Sequence, residues 1–454
     1  MFFPLLFVSL AMAQDWSRFR GPNGSGVADV AGLPVELSAT KNVIWRVALP
    51  AGHSSPVLSG GRIFLTGFEG DSLYTICLKQ DSGAVIWKKQ SPRARVSKLD
   101  NRNSPASPSP VADGKNVFVL FNDYGLVSYS FAGEERWRVP LGPFNNVYGI
   151  GASPVLEDGK VIVVIDQSAG SYAAAFDQST GKQLWKTPRE EALSGHSTPA
   201  VADGLIYAPG SFRMDVYRAS TGAIAWSTSG LASEMKSVPV VTGDTVYVSG
   251  YNTPFNDPGR QIAIPDFADV IAKYDANKDG KISKEEAPDE RTKNYFPYID
   301  LNQDGFMDAA EWKSYQQSMA AENALIAIDL TTHKVKWKFH KSIPQLPSVL
   351  IYKNVLYMIN DSGILTTMNA VTGELYKQAR LRGAADNYYA SPVAADDKIF
   401  FVSKSGVVTV LKAGGAQEPL ASGELDDEAY ATPAFAEGRI YIRTRSALYA
   451  FGKK

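Results

Sequence analysis

Two stretches of twelve residues carry oxygen-bearing side chains at a spacing that could hold a divalent metal ion. The first runs from Asp275 to Glu286 and the second from Asp300 to Glu311. Each has Asp or Asn at positions 1, 3 and 5, Gly at position 6 and Glu at position 12. Small carboxylate and amide side chains at alternate positions can surround one cation, and the glycine permits the sharp turn between them. The pattern therefore predicts two metal sites.

This spacing is that of the EF-hand calcium loop. Oxygen ligands in this number favour Ca²⁺ over Mg²⁺, because Mg²⁺ keeps its water and requires a tighter octahedron. The residue at position 7 contributes its backbone carbonyl, and the glutamate at position 12 contributes two oxygens. The predicted ligands are Asp275, Asn277, Asp279, Lys281 and Glu286 in loop one, and Asp300, Asn302, Asp304, Phe306 and Glu311 in loop two.

The two loops are predicted to form a pair. Ile282 and Met307 occupy the position at which paired EF-hand loops meet in a short β-bridge. Pro288 and Pro297 are expected to keep the linking helices brief. Apolar residues flank the loops at helical spacing, and these are Phe267, Ile271 and Tyr274 before loop one, and Trp312, Tyr315 and Met319 after loop two.

The charges of the two loops differ. Loop one contains Lys278, Lys281 and Lys284, whereas loop two contains no basic residue. Because less positive charge opposes the cation there, we predict that loop two binds calcium more tightly. At calcium about tenfold above the dissociation constant, one site adds roughly 1.4 kcal/mol to the stability of the segment. That magnitude favours a structural brace over a sensor.

The elements that must carry these loops are short β-strands in a repeated unit. Asp-Gly and Thr-Gly pairs separate β-rich runs and predict hairpin turns. Each unit begins at a Ser/Thr-Pro pair and ends on a strand with Trp or Tyr. The starts are Ser55-Pro56, Ser109-Pro110, Ser153-Pro154, Thr198-Pro199, Ser391-Pro392 and Thr432-Pro433, with weaker copies at Val238-Pro239 and Pro347-Ser348. The aromatic ends are Trp87, Trp137, Trp185, Trp226, Trp337 and Tyr376.

Eight units of roughly 40 residues with four strands each predict an all-β fold, an eight-bladed β-propeller. The last unit, from Tyr430 to Phe451, has three strands, and the segment Asn42 to Val47 is expected to supply the fourth. Between the second and third strands of unit five the periodicity becomes helical. We therefore predict propeller over residues 14–254 and 324–454, with a small α-helical EF-hand pair inserted over residues 255–323.

Residues just before the Ser/Thr-Pro starts are expected to gather around the central axis. They are polar or aromatic, and two histidines stand in nearly identical Gly-His-Ser-Ser-Pro and Gly-His-Ser-Thr-Pro contexts. One interpretation is a ligand pocket with His or Lys available for acid–base work. The other is local strand capping. The residues concerned are His53, Asn103, Tyr148, His196, Lys236, Asn387, Tyr388, Tyr389 and Tyr430.

Composition limits the partners. The chain has 454 residues with 46 basic and 47 acidic side chains, so a general affinity for nucleic acid or anionic membrane is not expected. The single cysteine, Cys77, cannot form an internal disulfide and is predicted to be a buried apolar residue. Residues Phe2 to Ala13 end in Ala11-Met12-Ala13, which predicts a signal peptide over residues 1–13 and no transmembrane segment after its cleavage. A periplasmic or secreted location follows.

The segment from Trp16 to Gly26 reads W-x-x-F-R-G-P-x-G-x-G, and residues 175–185 read A-F-D-x-x-T-G-x-x-x-W. Both resemble the PQQ-binding-like β-propeller repeat proteins, which are extracytoplasmic and share their blades with quinoprotein dehydrogenases and with outer-membrane assembly factors. The dehydrogenases carry adjacent cysteines, a calcium-holding Glu/Asn/Asp set and an Asp base. A chain with one cysteine cannot supply that pair.

The resemblance thus leaves two functions open. The first is a calcium-binding scaffold with a protein or small-molecule ligand at its axial face. The alternative is a PQQ-dependent dehydrogenase that oxidises an alcohol or a sugar.

Overall fold

Short β-rich runs closed by glycine-containing turns fold into eight sheets of four antiparallel strands. The computed structural model describes residues 15–93, 95–146, 148–189, 191–381 and 386–453. The predicted signal peptide over residues 1–13 lies outside these ranges. The sheets are the blades of an eight-bladed β-propeller, as predicted. No helix in the described ranges is both long enough and apolar enough to cross a membrane.

The first four blades follow one another without interruption. Strand β1 (Val43–Ala48) precedes them and belongs to the last blade. Blade one consists of β2 (Val57–Ser59), β3 (Arg62–Glu69), β4 (Ser72–Lys79) and β5 (Val85–Pro92). Blade two consists of β6 (Val111–Ala112), β7 (Asn116–Phe121), β8 (Gly125–Ser130) and β9 (Glu135–Val139). Blade three consists of β10 (Val155–Glu157), β11 (Lys160–Ile165), β12 (Tyr172–Asp177) and β13 (Gln183–Pro188). Blade four consists of β14 (Ala200–Ala202), β15 (Leu205–Pro209), β16 (Arg213–Arg218) and β17 (Ile224–Ser229).

Blade five is split by the helical insert, and its second strand pairs with a strand that follows the insert. The insert contains the β-bridge predicted between the loops, Ile282 opposite Met307. The elements in order are β18 (Val240–Thr242), β19 (Thr245–Gly250), α1 (Phe267–Tyr274), β20 (Ile282–Ser283), α2 (Glu290–Ile299), β21 (Phe306–Met307), α3 (Ala309–Ala320), β22 (Ala324–Asp329) and β23 (Val335–Phe339).

The last three blades close the ring. Strand β1 pairs with β34, from Val43 opposite Phe451 to Ala48 opposite Ala447, so the N-terminal strand completes blade eight as predicted. Blade six consists of β24 (Leu350–Tyr352), β25 (Val355–Ile359), β26 (Ile364–Asn369) and β27 (Leu375–Arg380). Blade seven consists of β28 (Val393–Ala395), β29 (Lys398–Val402), β30 (Val407–Lys412) and β31 (Pro419–Glu424), and blade eight of β32 (Ala434–Ala436), β33 (Arg439–Arg443), β34 (Ala447–Phe451) and β1.

Every blade has a register shift between its third and fourth strands. A bulge bends the outer strand and re-aims its side chains. In blade three the shift allows the Trp185 indole to reach blade four, where its Nε1 donates to the Ala219 carbonyl at 2.9 Å. Gly222 lies beneath the ring with φ +73°, and a Cβ there would stand 2.5 Å from it. The Thr-Gly turn and the tryptophan are therefore two halves of one contact between blades.

The insert has its own hydrophobic core, which contains the flanking residues predicted from their helical spacing. The helix that links the two loops, α2, has ten residues and continues through Pro297. Phe296 and Ile299, on either side of the proline, are both buried in the insert core. Their packing offsets the backbone hydrogen bond that proline cannot donate.

The N-terminal segment that carries the W-x-x-F-R-G-P pattern crosses the central channel. The Trp16 carbonyl accepts from Leu58 N–H at 2.9 Å, and the Arg18 guanidinium donates to the Pro199 carbonyl at 2.8 Å. Arg20, which is fully buried, donates to the Val349 carbonyl at 2.7 Å. These contacts are with blades one, four and six, so the segment joins opposite sides of the disc and closes the channel at one end.

Candidate functional site

The Ser/Thr-Pro starts form a ring of hydrogen bonds around the axis. In each bond the backbone N–H of one blade start donates to the hydroxyl oxygen of the next. Ser55 N–H donates to Ser109 Oγ at 2.9 Å, and Thr432 N–H donates to Ser55 Oγ at 2.9 Å, which closes the ring. Seven of the eight junctions carry this bond, at 2.8–3.1 Å. The repeated Ser or Thr is therefore a blade-to-blade connector.

Blade five interrupts the ring because Val238 stands where the other blades have a hydroxyl. Blade six does not interrupt it. Although its sequence reads Pro347-Ser348, Ser348 accepts from Val238 N–H at 2.9 Å and donates its own N–H to Ser391 Oγ at 3.0 Å. Ser348 thus takes the ring position, and the proline precedes it instead of following it.

A cavity of about 200 Å³ lies on the axis inside this ring. Phe19, from the segment that crosses the channel, lines it together with Ser55, Ser109, Ser153, Thr198 and Thr432 of the ring. The loops that lead into the first strands form its upper wall. Because the N-terminal segment closes one end of the channel, the cavity is a cup that opens on the side of these loops.

Most of the predicted axial residues line this cup, namely His53, Asn103, Tyr148, His196, Lys236, Tyr389 and Tyr430. Asn387 and Tyr388 do not. Asn387 is exposed, and its carbonyl accepts from Lys404 N–H. Tyr388 is fully buried in the core shared by blades six and seven. Consecutive side chains of an extended segment point in opposite directions, so Tyr389 can reach the axis only if its neighbours turn away.

Sequence reasoning missed six lining residues, which are Phe19, Asp100, Arg102, Ser107, Gly151 and Leu346. Asp100 and Arg102 lie in the long polar connection between blades one and two, and their charge is the only feature of the sequence that could have indicated a site. Phe19 is part of the N-terminal pattern, and the path of that segment across the channel is visible only in the tertiary structure. Leu346 carries no signal beyond its position two residues before a ring serine.

The charged groups of the cavity are already paired. The Arg102 guanidinium makes two bonds to the Asp100 carboxylate, at 2.6 and 3.1 Å. The Lys236 ammonium lies 2.6 Å from the Glu234 carboxylate, and both side chains are largely buried. Each cation therefore has its own carboxylate, and the cavity presents no unpaired positive or negative side chain among the described residues that line it.

Both histidines are held neutral. Burial lowers the pKa of His53 to about 4, and the guanidinium groups of Arg443 and Arg445 add to the effect. Burial also lowers the pKa of His196 to about 4, with a further contribution from Lys236 and an opposing one from Glu234. Neither imidazole carries a charge at pH 7. The cavity as a whole is electrically neutral.

Aromatic rings form much of its wall. The His53 imidazole stacks on Tyr430 with centroids 4.0 Å apart and planes 11° apart, and Tyr389 stacks on the same ring at 5.5 Å. On another side Tyr148 meets His196 edge to face at 5.6 Å. Burial raises the pKa of the Tyr148 phenol well above its usual value. These rings offer flat, uncharged surfaces.

The EF-hand insert reaches the rim of the cup. The Tyr298 ring, from α2, stacks on Tyr148 with centroids 6.0 Å apart and planes 20° apart. Loop two is in contact with the propeller through Asn145, whose side chain donates to the Leu301 carbonyl at 3.2 Å and accepts from Gln303 at 3.1 Å. A second cavity between insert and propeller is lined by both Tyr148 and Glu311. Loop two, rather than loop one, is therefore the loop next to the axial cavity.

The two loops have the same internal hydrogen bonds. In loop one Gly280 N–H donates to Asp275 at 2.9 Å, and in loop two Gly305 N–H donates to Asp300 at 3.0 Å. Backbone N–H groups likewise hold both oxygens of Glu286 and of Glu311. The four predicted side-chain ligands of each loop all accept backbone N–H groups of their own loop, and the chemistry of this donor set fits Ca²⁺.

The carboxylates of the loops do not form a metal-binding cluster by themselves. Within the described ranges no group of three or more His, Cys, Asp or Glu side chains is close enough together to hold a metal ion. The predicted ligand set of each loop also includes an asparagine side chain and a backbone carbonyl.

Burial distinguishes the loops. Asp300 and Glu311 are 7% and 6% exposed, and burial raises the pKa of Glu311. In loop one, hydrogen bonds from Ser283 lower the pKa of Glu286. The lysines of loop one are not confined to that loop, because Lys281 Nζ lies 3.0 Å from Asp304 Oδ2 of loop two. A basic side chain of loop one thus neutralises a predicted ligand of loop two.

Profiles of known protein families match both the propeller and its helical insert. The family profile described as outer membrane protein assembly factor BamB matches residues 75–268 and 306–454. An EF-hand profile matches residues 267–286 and 293–314. No curated protein matches the sequence.

Solved structures share the propeller at low sequence identity. BamB from Moraxella catarrhalis is 13% identical, with a TM-score of 0.55 over 90% of this chain and 99% of its own. A europium-containing methanol dehydrogenase is 10% identical, with a TM-score of 0.63 over 98% of this chain and 99% of its own. The computationally designed protein Ika8 is 9% identical, with a TM-score of 0.58 over 94% of this chain and 99% of its own. These likenesses concern the fold alone, since a designed protein and an enzyme share it equally.

Proposed function

This chain belongs to the family described as outer membrane protein assembly factor BamB, and we propose that it is an extracytoplasmic binding scaffold with a calcium-braced insert. The axial cup is the binding site for a small molecule or for a group presented by a protein. The EF-hand pair, docked at its rim, supports one side of that site. Family membership supports the docking role, and the profile of the insert supports calcium.

One observation carries the proposal. The cup is closed at one end, walled by aromatic rings and lined by charged groups that are already paired with each other. Acid–base catalysis near pH 7 requires a group whose pKa lies near that pH. His53 and His196 have pKa values of about 4. The arrangement is better suited to holding a ligand than to moving a proton.

Calcium has a structural role in this proposal. The five oxygen-bearing positions of each loop would hold the ion, which supplies positive charge to carboxylates that otherwise repel each other. In loop two those carboxylates adjoin the contact of Asn145 with Leu301. Calcium there is therefore expected to stabilise the docking of the insert against the propeller.

An extracytoplasmic location belongs to the proposal as well. The family description and the signal-like residues 1–13 support it. Fusion of residues 1–20 to alkaline phosphatase lacking its own signal tests it, because that enzyme is active only after export. Activity of the fusion, lost when Ala11 and Ala13 are replaced by bulky residues, is the expected result.

Quinone-dependent oxidation is supported less well by the cavity. Pyrroloquinoline quinone carries three carboxylates and needs cations to balance them. Arg102 and Lys236 are each bound to a carboxylate of the protein, and Cys77 lies buried in blade one, outside the cavity. The charges present therefore do not fit this cofactor.

A pair of substitutions at one position tests the scaffold. Gly151 lines the cup, and a methyl group there would meet His196 at an ordinary 3.4 Å. Gly151→Ala should leave the cup open, whereas Gly151→Leu should fill it. The chain is purified from its host in calcium buffer, and the small molecules and cross-linked proteins retained are identified by mass spectrometry. A species held by the wild type and Gly151→Ala but lost from Gly151→Leu supports the proposal.

Two results would contradict it. Retention of the same species by all three proteins places binding elsewhere. A quinone absorbance that appears after addition of quinone and calcium, with turnover of an alcohol or aldose in a dye-linked assay, makes the chain an enzyme.

A further inference from the structure

We infer that the axial cup recognises a neutral saccharide, as a single sugar unit presented end-on. This inference rests on the proposed binding function and specifies its ligand class. It follows from four properties of the cup: its size, its aromatic wall, its hydrogen-bonding floor and its charge.

The size of the cup admits one ring-sized group. Its volume is about 200 Å³, below the roughly 300–1,000 Å³ of pockets that enclose drug-sized ligands. Phe19 closes the floor, so a chain cannot pass through the channel. A ligand must enter from the mouth, and only its terminal unit reaches the floor.

The wall offers aromatic faces to that unit. The stacked rings of His53, Tyr389 and Tyr430 line the cup, and Tyr148 lines it on another side. The face of an aromatic ring carries negative charge density, which attracts the weakly positive C–H groups of a sugar ring. Neutral imidazoles preserve this character, since a protonated histidine would instead repel such groups.

The floor offers hydroxyl protons. Ser55, Ser109 and Ser153 each accept one backbone N–H through the hydroxyl oxygen, and so do Thr198 and Thr432. None of these five hydroxyls makes a further hydrogen bond to a protein group in the described ranges. A hydroxyl that has accepted one bond still has a proton to donate. The floor is therefore a ring of donors that converge on the axis and require a ligand rich in oxygen acceptors.

The charge of the cup selects among such ligands. An anion would find both Arg102 and Lys236 already bonded to carboxylates. An apolar or aromatic side chain would leave the hydroxyl protons without acceptors, and an unsatisfied buried polar group costs free energy. A neutral saccharide satisfies the hydroxyls with its oxygens and the aromatic wall with its C–H groups.

The ring itself supplies a matched pair of variants. Ser109 and Ser391 each accept one backbone N–H, at 2.9 and 3.0 Å, but only Ser109 lines the cup. Ser109→Ala and Ser391→Ala therefore remove the same inter-blade bond, and only the first removes a donor from the cavity. Thermal melts of both proteins should show equal losses of stability.

The experiment is a glycan array with the full-length, calcium-loaded protein, followed by calorimetry with the saccharides that bind. Uronic acids and sulfated sugars serve as charged comparators. Neutral glycans with one shared terminal unit should bind. Ser109→Ala should weaken binding about three- to tenfold, as expected for one hydrogen bond, Tyr430→Ala at least as much, and Ser391→Ala not at all.

The inference is overturned if no neutral glycan binds, if only charged ones do, or if Ser109→Ala and Ser391→Ala bind equally. If the wild type and Gly151→Ala retain a species that is not a saccharide, and Gly151→Leu loses it, the scaffold proposal stands and the proposed saccharide ligand is refuted. If no retained species is lost from Gly151→Leu, the scaffold proposal itself is refuted.

Discussion

The indole ring of Trp226 stacks on the imidazole ring of His333, with centroids 4.3 Å apart and planes 10° apart. Trp226 ends blade four, and His333 lies in the outer turn of blade five. At the same junction of other blades, a tryptophan covers a glycine. Trp87 lies over Gly133, for example, and Trp137 over Gly181. His333 keeps the positive φ of those glycines, at +58°. At this junction the tryptophan therefore stacks on an aromatic side chain, where in other blades it lies over the backbone of a glycine.

Substitutions of His333 should rank by these two effects. His333→Gly loses the stack but relieves the positive φ, whereas His333→Ala loses the stack and keeps the strain. We expect the alanine variant to unfold with a free energy about 1 kcal/mol lower than that of the glycine variant. His333→Val should be worst, since β-branched residues tolerate positive φ least. Denaturant unfolding measures the order, and an alanine variant as stable as the glycine variant would show that backbone strain has no part.

The gap in the hydroxyl ring predicts a tolerated substitution. Val238→Thr should supply the missing acceptor for Thr198 N–H, which makes no hydrogen bond within the described ranges. The new bond is worth about 1 kcal/mol and should offset the loss of apolar burial. Val240→Thr is the control, because Val240 is equally buried and lies outside the ring. Unfolding midpoints should fall for Val240→Thr and stay near the wild type for Val238→Thr, and equal falls would contradict the prediction.

Calcium binding should distinguish the loops. Calorimetry on Glu286→Gln and Glu311→Gln should show the larger loss of affinity for Glu311→Gln, because loop two has more buried carboxylate charge for the ion to neutralise. Hydrogen exchange should also increase around Asn145 and Tyr148 in that variant alone, since loop two contacts the propeller through Asn145. A larger effect from Glu286→Gln would refute the proposed order of affinities.

Lys281 should weaken calcium binding in loop two. Its ammonium group lies 3.0 Å from Asp304 Oδ2, where it competes with the ion for that carboxylate. Lys281→Met should tighten loop two severalfold at low ionic strength, with a smaller effect at high salt, which screens exposed charges. Lys284→Met, in the same loop, is the control for removal of one positive charge. Equal effects of the two variants would show that only net charge matters.

The stability of the propeller should fall in mild acid. His53 and His196 have pKa values of about 4 in the folded chain, against about 6.5 in an unfolded one. Between those values the unfolded chain binds more protons, so the free energy of unfolding decreases as the pH falls from 6.5 to 4 and does not depend on these groups above 6.5. Thermal melts at pH 7, 6, 5 and 4 in saturating calcium measure this. Stability should depend less steeply on pH in the double variant His53→Gln, His196→Gln than in the control His340→Gln. The same dependence in both variants would contradict the role given to His53 and His196.

The sequence determined those features that depend on neighbours along the chain. Turn glycines, alternating apolar residues and a regular Ser/Thr-Pro start predicted each blade. The number of starts and the three-stranded last unit predicted the ring and its closure by Val43–Ala48. The EF-hand loops could be predicted for the same reason, because such a loop takes its ligands from twelve consecutive residues, and an EF-hand profile matches both loops.

Only the tertiary structure decided what meets across the axis and between domains. Five bonds of the ring join residues 41 to 54 apart in the chain. One bond spans the 110 residues from Val238 to Ser348, and the closing bond joins Thr432 to Ser55. Phe19 reaches the floor of the cup because the N-terminal segment crosses the channel, and Tyr298 reaches Tyr148 because loop two lies against the propeller. Pairs far apart in sequence leave no local pattern, since their contact depends on the packing of whole blades. The cup, and the position of loop two beside it, are therefore properties of the fold rather than of any sequence motif.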